Sequence, residues 1–255
     1  MSHKPDIPTS SDRRVILVTG ASSGLGQHMA VMLASDGALV VAAARRADRL
    51  ETLEGVVEGR IVPSAMDVTD PASVDRAIEE IMQRFGRIDG LVNNAGIAWG
   101  GRALEMSAED WDSVIATNLS GAFHVARAVA ARMAETGGGA IVSTASILGF
   151  RTGLGVAAYA ASKAAVVHLT RCLALEWARH GIRVNALAPG YFPTDINRDF
   201  LEGEIGQAML KDIPLRRFGR YEDLDGPLRL LLSDAGAYIT GVTLPVDGGH
   251  LCRPL

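Results

Sequence analysis

Seven short apolar runs punctuate the chain, at Arg14–Thr19, Ala38–Ala44, Ile61–Met66, Arg87–Asn93, Ala140–Thr144, Gly181–Leu187 and Val242–Val246. The first is rich in β-branched residues, and the second is continuously apolar rather than alternating, as a strand covered on both faces must be. Between them lie stretches with helical periodicity, so the order is strand then helix repeated about six times. No linker, low-complexity segment or repeat of solenoid length interrupts it. Such alternation predicts the α/β class, with a single doubly wound parallel sheet and helices on both faces. The 255 residues, 48% of them hydrophobic, suffice for a large core. We read a polar tail over residues 1–12 and a single domain over 13–255.

Open sheets of this kind hold ligands in the crevice at the strands' carboxyl ends, so the residues that follow each run are candidates. After Thr19 come Gly20, Ser22, Ser23, Gly24, Leu25 and Gly26, then a helical pattern to Ser35. Glycines let the backbone turn tightly, and the free N–H groups at a helix start suit a pyrophosphate. The spacing is G-x-x-x-G-x-G, which any sharp strand-to-helix turn can carry; strand before and helix after favour a dinucleotide. The second run ends at Arg45 and Arg46, about 20 residues beyond the glycines, where NAD sites place an acid and NADP sites an arginine. Here the acid is missing, which favours NADP, although two arginines also suit the start of a solvated helix. Asp67, at the end of the third run, either accepts from an adenine amino group or caps its own turn. Small residues in Asn93–Gly96 let a ring lie close.

Residues Ala157–Trp177 read as one helix, which puts Tyr159 and Lys163 on the same face one turn apart. An ammonium within about 4–6 Å favours a phenolate, so the tyrosine becomes usable as acid or base nearer neutrality. Ser146, at the end of the fifth run, is placed to hydrogen-bond the same carbonyl oxygen that the phenol would serve. Taken alone, such a pair is equally a solvated helix face. Asn118 lies within a helical stretch, where the sequence favours a solvated position over a kink. Residues 191–213 are longer than most connections and predict a substrate lid with short helices, or an ordinary surface excursion.

The net charge of −4 without basic runs argues against a nucleic-acid partner. No apolar stretch reaches the roughly 18 residues of a membrane span, and Met1–Asp12 lacks a signal-peptide core, so a cytoplasmic protein is expected. Cys172 and Cys252 lie far apart, and His28, His124 and His168 fall in helical patterns, so no catalytic metal is expected.

Taken together, Thr19–Gly26, Asn93–Gly96, Asn118, Ser146, Tyr159-x-x-x-Lys163, Pro189-Gly190 and Asp247–Gly249 resemble the short-chain dehydrogenase/reductase family over nearly the whole chain. The resemblance implies a Rossmann fold and NAD(P)-dependent hydride transfer between nicotinamide C4 and a ketone or secondary alcohol of 3-oxoacyl, sugar or small carbonyl type. Tyr159 would be the acid in reduction and the base in oxidation. Lys163 would lower its pKa and bind the nicotinamide ribose, Ser146 would stabilise the carbonyl oxygen, and Asn118 would hold a proton-relaying water. Gly20, Gly24, Leu25 and Gly26 would meet the pyrophosphate, and Asp67 and Val68 the adenine. Asn94, Ala95 and Gly96 would meet the adjacent ribose, and Pro189, Gly190 and Thr194 the nicotinamide side. Ser22 and Ser23 stand where some NADP-using members carry a basic residue, so the 2′-phosphate would rest mainly on Arg45, with Arg46 and a serine hydroxyl. NAD stays open as a second cofactor, as does an NAD-dependent alcohol or sugar dehydrogenase. Pro193 stiffens the turn before Thr194. The resemblance also implies a homotetramer or dimer, with Leu251–Leu255 near a neighbouring subunit. The reading from another class is a dinucleotide-binding sensor without turnover. Trp99, Ile147, Phe150, Tyr191 and Phe192 are expected to line an apolar pocket, with Arg151 meeting an anionic group or water.

Overall fold

The computed structural model describes residues 13–252 apart from 47, 58, 195 and 196. The expected polar tail at 1–12 and the last three residues of the Leu251–Leu255 reach lie outside the described residues. Seven strands, β1 (Val15–Thr19), β2 (Leu39–Ala44), β3 (Ile61–Ala65), β4 (Gly90–Asn93), β5 (Gly139–Thr144), β6 (Ile182–Pro189) and β7 (Thr243–Val246), form one sheet. Their order is β3-β2-β1-β4-β5-β6-β7, and every neighbouring pair is parallel.

Side chains alternate across the strands, so each strand feeds two cores. Leu17, Val41, Leu91 and Ile141 pack on one face against Ile78 and Ile81 of α3 (Pro71–Phe85), Val125 and Val129 of α5 (Ala122–Thr136) and Leu173 of α6 (Ala157–Trp177). Ile16, Val18, Val40 and Val142 pack on the other face. There they meet Met29 and Leu33 of α1 (Gly24–Ser35), Leu50 and Leu53 of α2 (Asp48–Glu54), and Leu228 and Leu231 of α9 (Asp225–Leu232). This double covering explains why β1 and β2 are apolar at nearly every position.

Local signals set the helix ends. Asp70 caps α3 by accepting from the Ala72 N–H at 3.0 Å, Pro71 opens it, and Gly86 closes it in the left-handed region at φ 71°. α6 covers Ala157–Trp177, the span read from the sequence. The stretch ahead of Thr136 is α4 (Ala108–Ile115) running into α5 through a π-helical turn at Ala116–Gly121. Among the described residues, no helix is long and apolar enough to cross a membrane.

The sheet order reverses between β1 and β4, where the chain turns to opposite sides after β1 and after β4. The loops at that point part and leave a crevice at the carboxyl ends.

Candidate active site

The crevice is a cleft of about 510 Å³. Each strand end contributes: Gly20 and Ser22–Gly26 after β1, Arg45 and Arg46 after β2, Asp67 and Val68 after β3, Asn94–Gly96 after β4, Ser146 after β5, and Pro189, Gly190 and Thr194 after β6. α6 adds Tyr159 and Lys163. Of the residues singled out in the sequence as catalytic or cofactor-binding, Asn118 alone does not line it.

The glycine loop has the shape a dinucleotide requires. Gly20 and Gly24 sit at φ +66° and +55°, and a Cβ on Gly20 would lie 2.8 Å from the Ala95 Cα. A Cβ on Gly26 would run into the Gly20 carbonyl and lie 2.5 Å from the Asn94 amide nitrogen, so only glycine lets the start of α1 close on β1. Ser23 makes no side-chain cap. The first-turn N–H groups of α1 therefore remain donors for an anion in the cleft.

Two threonines without an assigned role in the sequence hold this end together. The Thr19 hydroxyl donates to Asn93 Oδ1 at 3.3 Å and accepts from the N–H groups of Asn94 and Ala95 at 3.0 and 3.1 Å. Asn94 Nδ2 donates to the Thr19 carbonyl at 3.3 Å, and its Oδ1 accepts from the Thr144 hydroxyl at 3.2 Å. The ends of β1, β4 and β5 are thereby pinned across the switch point. No local pattern marks Thr144; only the parallel pairing of β4 with β5 reveals it.

At the far end Arg45 and Arg46 are exposed beside the cleft. Burial raises the Asp67 carboxyl, but hydrogen bonds from Thr69 and the charge of Arg45 outweigh it and hold the group below its ordinary value. Thr69 reaches Asp67 Oδ1 through its N–H at 2.9 Å and its hydroxyl at 2.7 Å. Asp67 thus caps its own turn while lining the cleft.

At the near end Lys163 is buried, and its Nζ donates to the Thr144 carbonyl at 2.6 Å and lies 5.5 Å from the centre of the Tyr159 ring. Burial pulls the ammonium down to about 8. Burial also pushes the Tyr159 phenol above its ordinary value, opposed by a hydrogen bond with Ser146. Desolvation, rather than the charge of Lys163, sets the direction of the shift, and the phenol is held as an acid. Ser146 Oγ accepts from the Leu148 N–H at 3.1 Å, capping a short 3-10 turn at Ile147–Gly149, which leaves the hydroxyl proton to point elsewhere.

Asn118 corrects the solvated-face reading. It is 1% exposed and sits in the π-helical turn, with Oδ1 accepting from the Ile97 N–H at 2.8 Å. Its Nδ2 donates to the Ile97 carbonyl at 2.9 Å and to Ser162 Oγ at 3.1 Å. A widened turn is what lets a poor helix residue face inward.

The apolar pocket differs in part from expectation. Ile147, Tyr191 and Phe192 line the cleft, joined by Ile97, Ala98, Leu148 and Val156; Trp99 and Phe150 do not. Trp99 lies across Gly101, where a Cβ would come within 2.5 Å of its ring, and Phe150 is 44% exposed outside the cleft. Arg151 donates to the Leu251 carbonyl at 3.2 Å and does not line the cleft. The segment 191–213 carries α7 (Arg198–Glu202), α8 (Glu204–Met209) and a 3-10 turn at Leu210–Asp212. At its base Asn197 Oδ1 accepts from the N–H and hydroxyl of Thr194, and a Cβ on Gly24 would touch the Thr194 methyl at 3.9 Å.

Residues 14–205 match the short chain dehydrogenase family. The chain is 41% identical over 252 residues to 2-dehydro-3-deoxy-D-gluconate 5-dehydrogenase of Escherichia coli (strain K12), covering 96% of this chain and 98% of that one. It is 38% identical over 239 residues to 3-oxoacyl-(acyl-carrier-protein) reductase of Thermotoga maritima, covering 92% and 97%. The crystal structure of a gluconate 5-dehydrogenase from Burkholderia cenocepacia J2315 in complex with NADP and tartrate superposes with a TM-score of 0.91 at 36% identity, covering 95% and 96%.

Proposed function

The chain belongs to the short-chain dehydrogenase/reductase family, and from that premise we propose that it is an NADP(H)-dependent oxidoreductase interconverting a small ketone and its secondary alcohol. The observation that carries the reading is the joining of Ser146, Tyr159 and Lys163 at one end of a cleft whose other end presents Arg45 and Arg46. A glycine cradle with uncapped helix N–H groups lies between them.

When bound, the reduced cofactor supplies a hydride to the carbonyl carbon. The chain's own residues handle the proton and the oxygen. Tyr159 gives its phenolic proton to the carbonyl oxygen, and Ser146, oriented by the Leu148 N–H, donates a hydrogen bond to that oxygen as charge develops on it. Lys163, anchored on the Thr144 carbonyl, keeps a cation beside the phenolate that remains. In oxidation the same groups run in reverse. Gly20, Gly24, Leu25 and Gly26 would hold the pyrophosphate, Arg45 with Arg46 and a hydroxyl of Ser22 or Ser23 the 2′-phosphate, and Asp67 and Val68 the adenine. Asn94–Gly96 wall the ribose, while Pro189, Gly190 and Thr194 wall the nicotinamide. Residues 13–255 act as one domain with 191–213 as lid, in a cytoplasmic homotetramer or dimer. Trp111 of α4 and Phe123 of α5, 41% and 37% exposed, support association of copies.

The test is NADPH consumption with small ketones and 3-oxoacyl thioesters. Turnover of at least one class is expected; tight NADPH binding with silence across the panel would instead make the chain a dinucleotide sensor. Arg45→Asp is expected to weaken NADPH relative to NADH by about 10- to 10²-fold, the loss of a guanidinium–phosphate contact plus a like-charge clash. An unchanged preference in paired titrations would remove Arg45 from the 2′-phosphate site.

A further inference from the structure

Ser162, directly before Lys163 on α6, is fully buried. Its hydroxyl donates to the Tyr159 carbonyl at 2.7 Å. A helical serine bonding the preceding turn is ordinary. The second bond is not: the same oxygen accepts from Asn118 Nδ2 at 3.1 Å. In an α-helix the Tyr159 carbonyl already takes the N–H of Lys163, so Ser162 adds a second donor to the carbonyl oxygen whose backbone hydrogen bond links the two residues that do the chemistry.

Asn118 carries the connection onward. Its Oδ1 accepts from the Ile97 N–H at 2.8 Å, and the same Nδ2 also donates to the Ile97 carbonyl at 2.9 Å. Ile97 follows Asn94–Gly96 and lines the cleft. An unbroken series of hydrogen bonds therefore runs from the loop after β4, through the π-helical turn, to the backbone of Tyr159.

We propose that Ser162 is a positioning residue that sets Tyr159 and Lys163 against the Asn94–Ile97 wall, acting through Asn118. The role rests on the oxidoreductase reading above. It differs from local satisfaction of a buried hydroxyl in one respect: removing the hydroxyl strips Asn118 of an acceptor and leaves the loop and the helix untied.

Ser162→Ala is expected to fold, to bind NADPH as the wild type does, and to lose about 10- to 10²-fold in kcat with little change in KM, as a small misplacement of a reacting group does. In an Asn118→Ala background the same change should add little, because both members of one coupled pair are then gone. Should Ser162→Ala fail to fold, Ser162→Cys, nearly isosteric and a weak hydrogen-bonding group, is read in its place with an intermediate loss expected. An active wild type with an equally active, folded Ser162→Ala would overturn the positioning role alone, and so would losses that multiply fully in the double variant. A wild type that binds NADPH and reduces no carbonyl would overturn the oxidoreductase reading and this role with it.

Discussion

Tyr159→Phe is expected to lower kcat for carbonyl reduction by about 10²- to 10⁴-fold, the range general acid catalysis supplies, while NADPH affinity is retained. The variant is nearly surgical. Burial holds the Tyr159 phenol above its ordinary value, so the group is neutral through the working pH range and its removal deletes no buried charge. The ring that lies 5.5 Å from Lys163 Nζ is kept, and Ser146 keeps the Leu148 N–H that orients its hydroxyl. The loss should fall on kcat, because the proton moves only in the transition state. Single-turnover reduction and fluorescence titration with NADPH separate the outcomes. A variant that still reduces ketones would take Tyr159 out of proton transfer. One that no longer binds NADPH would make its hydroxyl a cofactor contact first.

The fold was legible because parallel strands covered on both faces leave an unmistakable signature. Leu39–Ala44 is buried at every position, and the run was apolar at every position for that reason. The cleft was legible because strand ends are where a doubly wound sheet binds ligands, so naming the turns named the lining. Three things were hidden, each because it depends on residues distant in sequence. Asn118 is named by the family resemblance, but its contacts with Ile97 and Ser162 depend on a π-helical turn that no local pattern marks. Thr144 reads as the last residue of a strand until its carbonyl meets Lys163 and its hydroxyl meets Asn94. Tyr159 and Lys163 read as a pair in which charge tunes the phenol, but burial depth, which helical spacing does not encode, acts more strongly on both. Trp99 and Phe150 show the same limit from the other side. Aromatic character suggested a pocket wall, yet one ring lies over Gly101 and the other, after the Ile147–Gly149 turn, is partly exposed, both outside the cleft.

Lys163→Met is expected to cost about 10²- to 10³-fold in kcat, by removing the cation that stabilises charge left on Tyr159, and to change how stability responds to pH. Burial lowers the ammonium from 10.5 to about 8. Between those values the unfolded chain still carries the proton that the folded chain has released, so protons favour the unfolded state and stability rises with pH. Below about pH 8 both states are protonated, and the folded protein bears the whole cost of the buried charge, about 3 kcal/mol for a displacement of this size. Methionine has similar length and no charge, and other titrating groups are common to both proteins. The stability of wild type relative to Lys163→Met should therefore climb by up to about 3 kcal/mol between about pH 7 and pH 10. The bond to the Thr144 carbonyl does not alter that slope, because a neutral amine still donates. Urea unfolding of both proteins across this range measures it; a difference flat with pH would mean that the ammonium is solvated and not enclosed. A lysine that destabilises the fold at the pH where its charge is needed marks a position held by chemistry against packing, as sites do where local rules are broken for function.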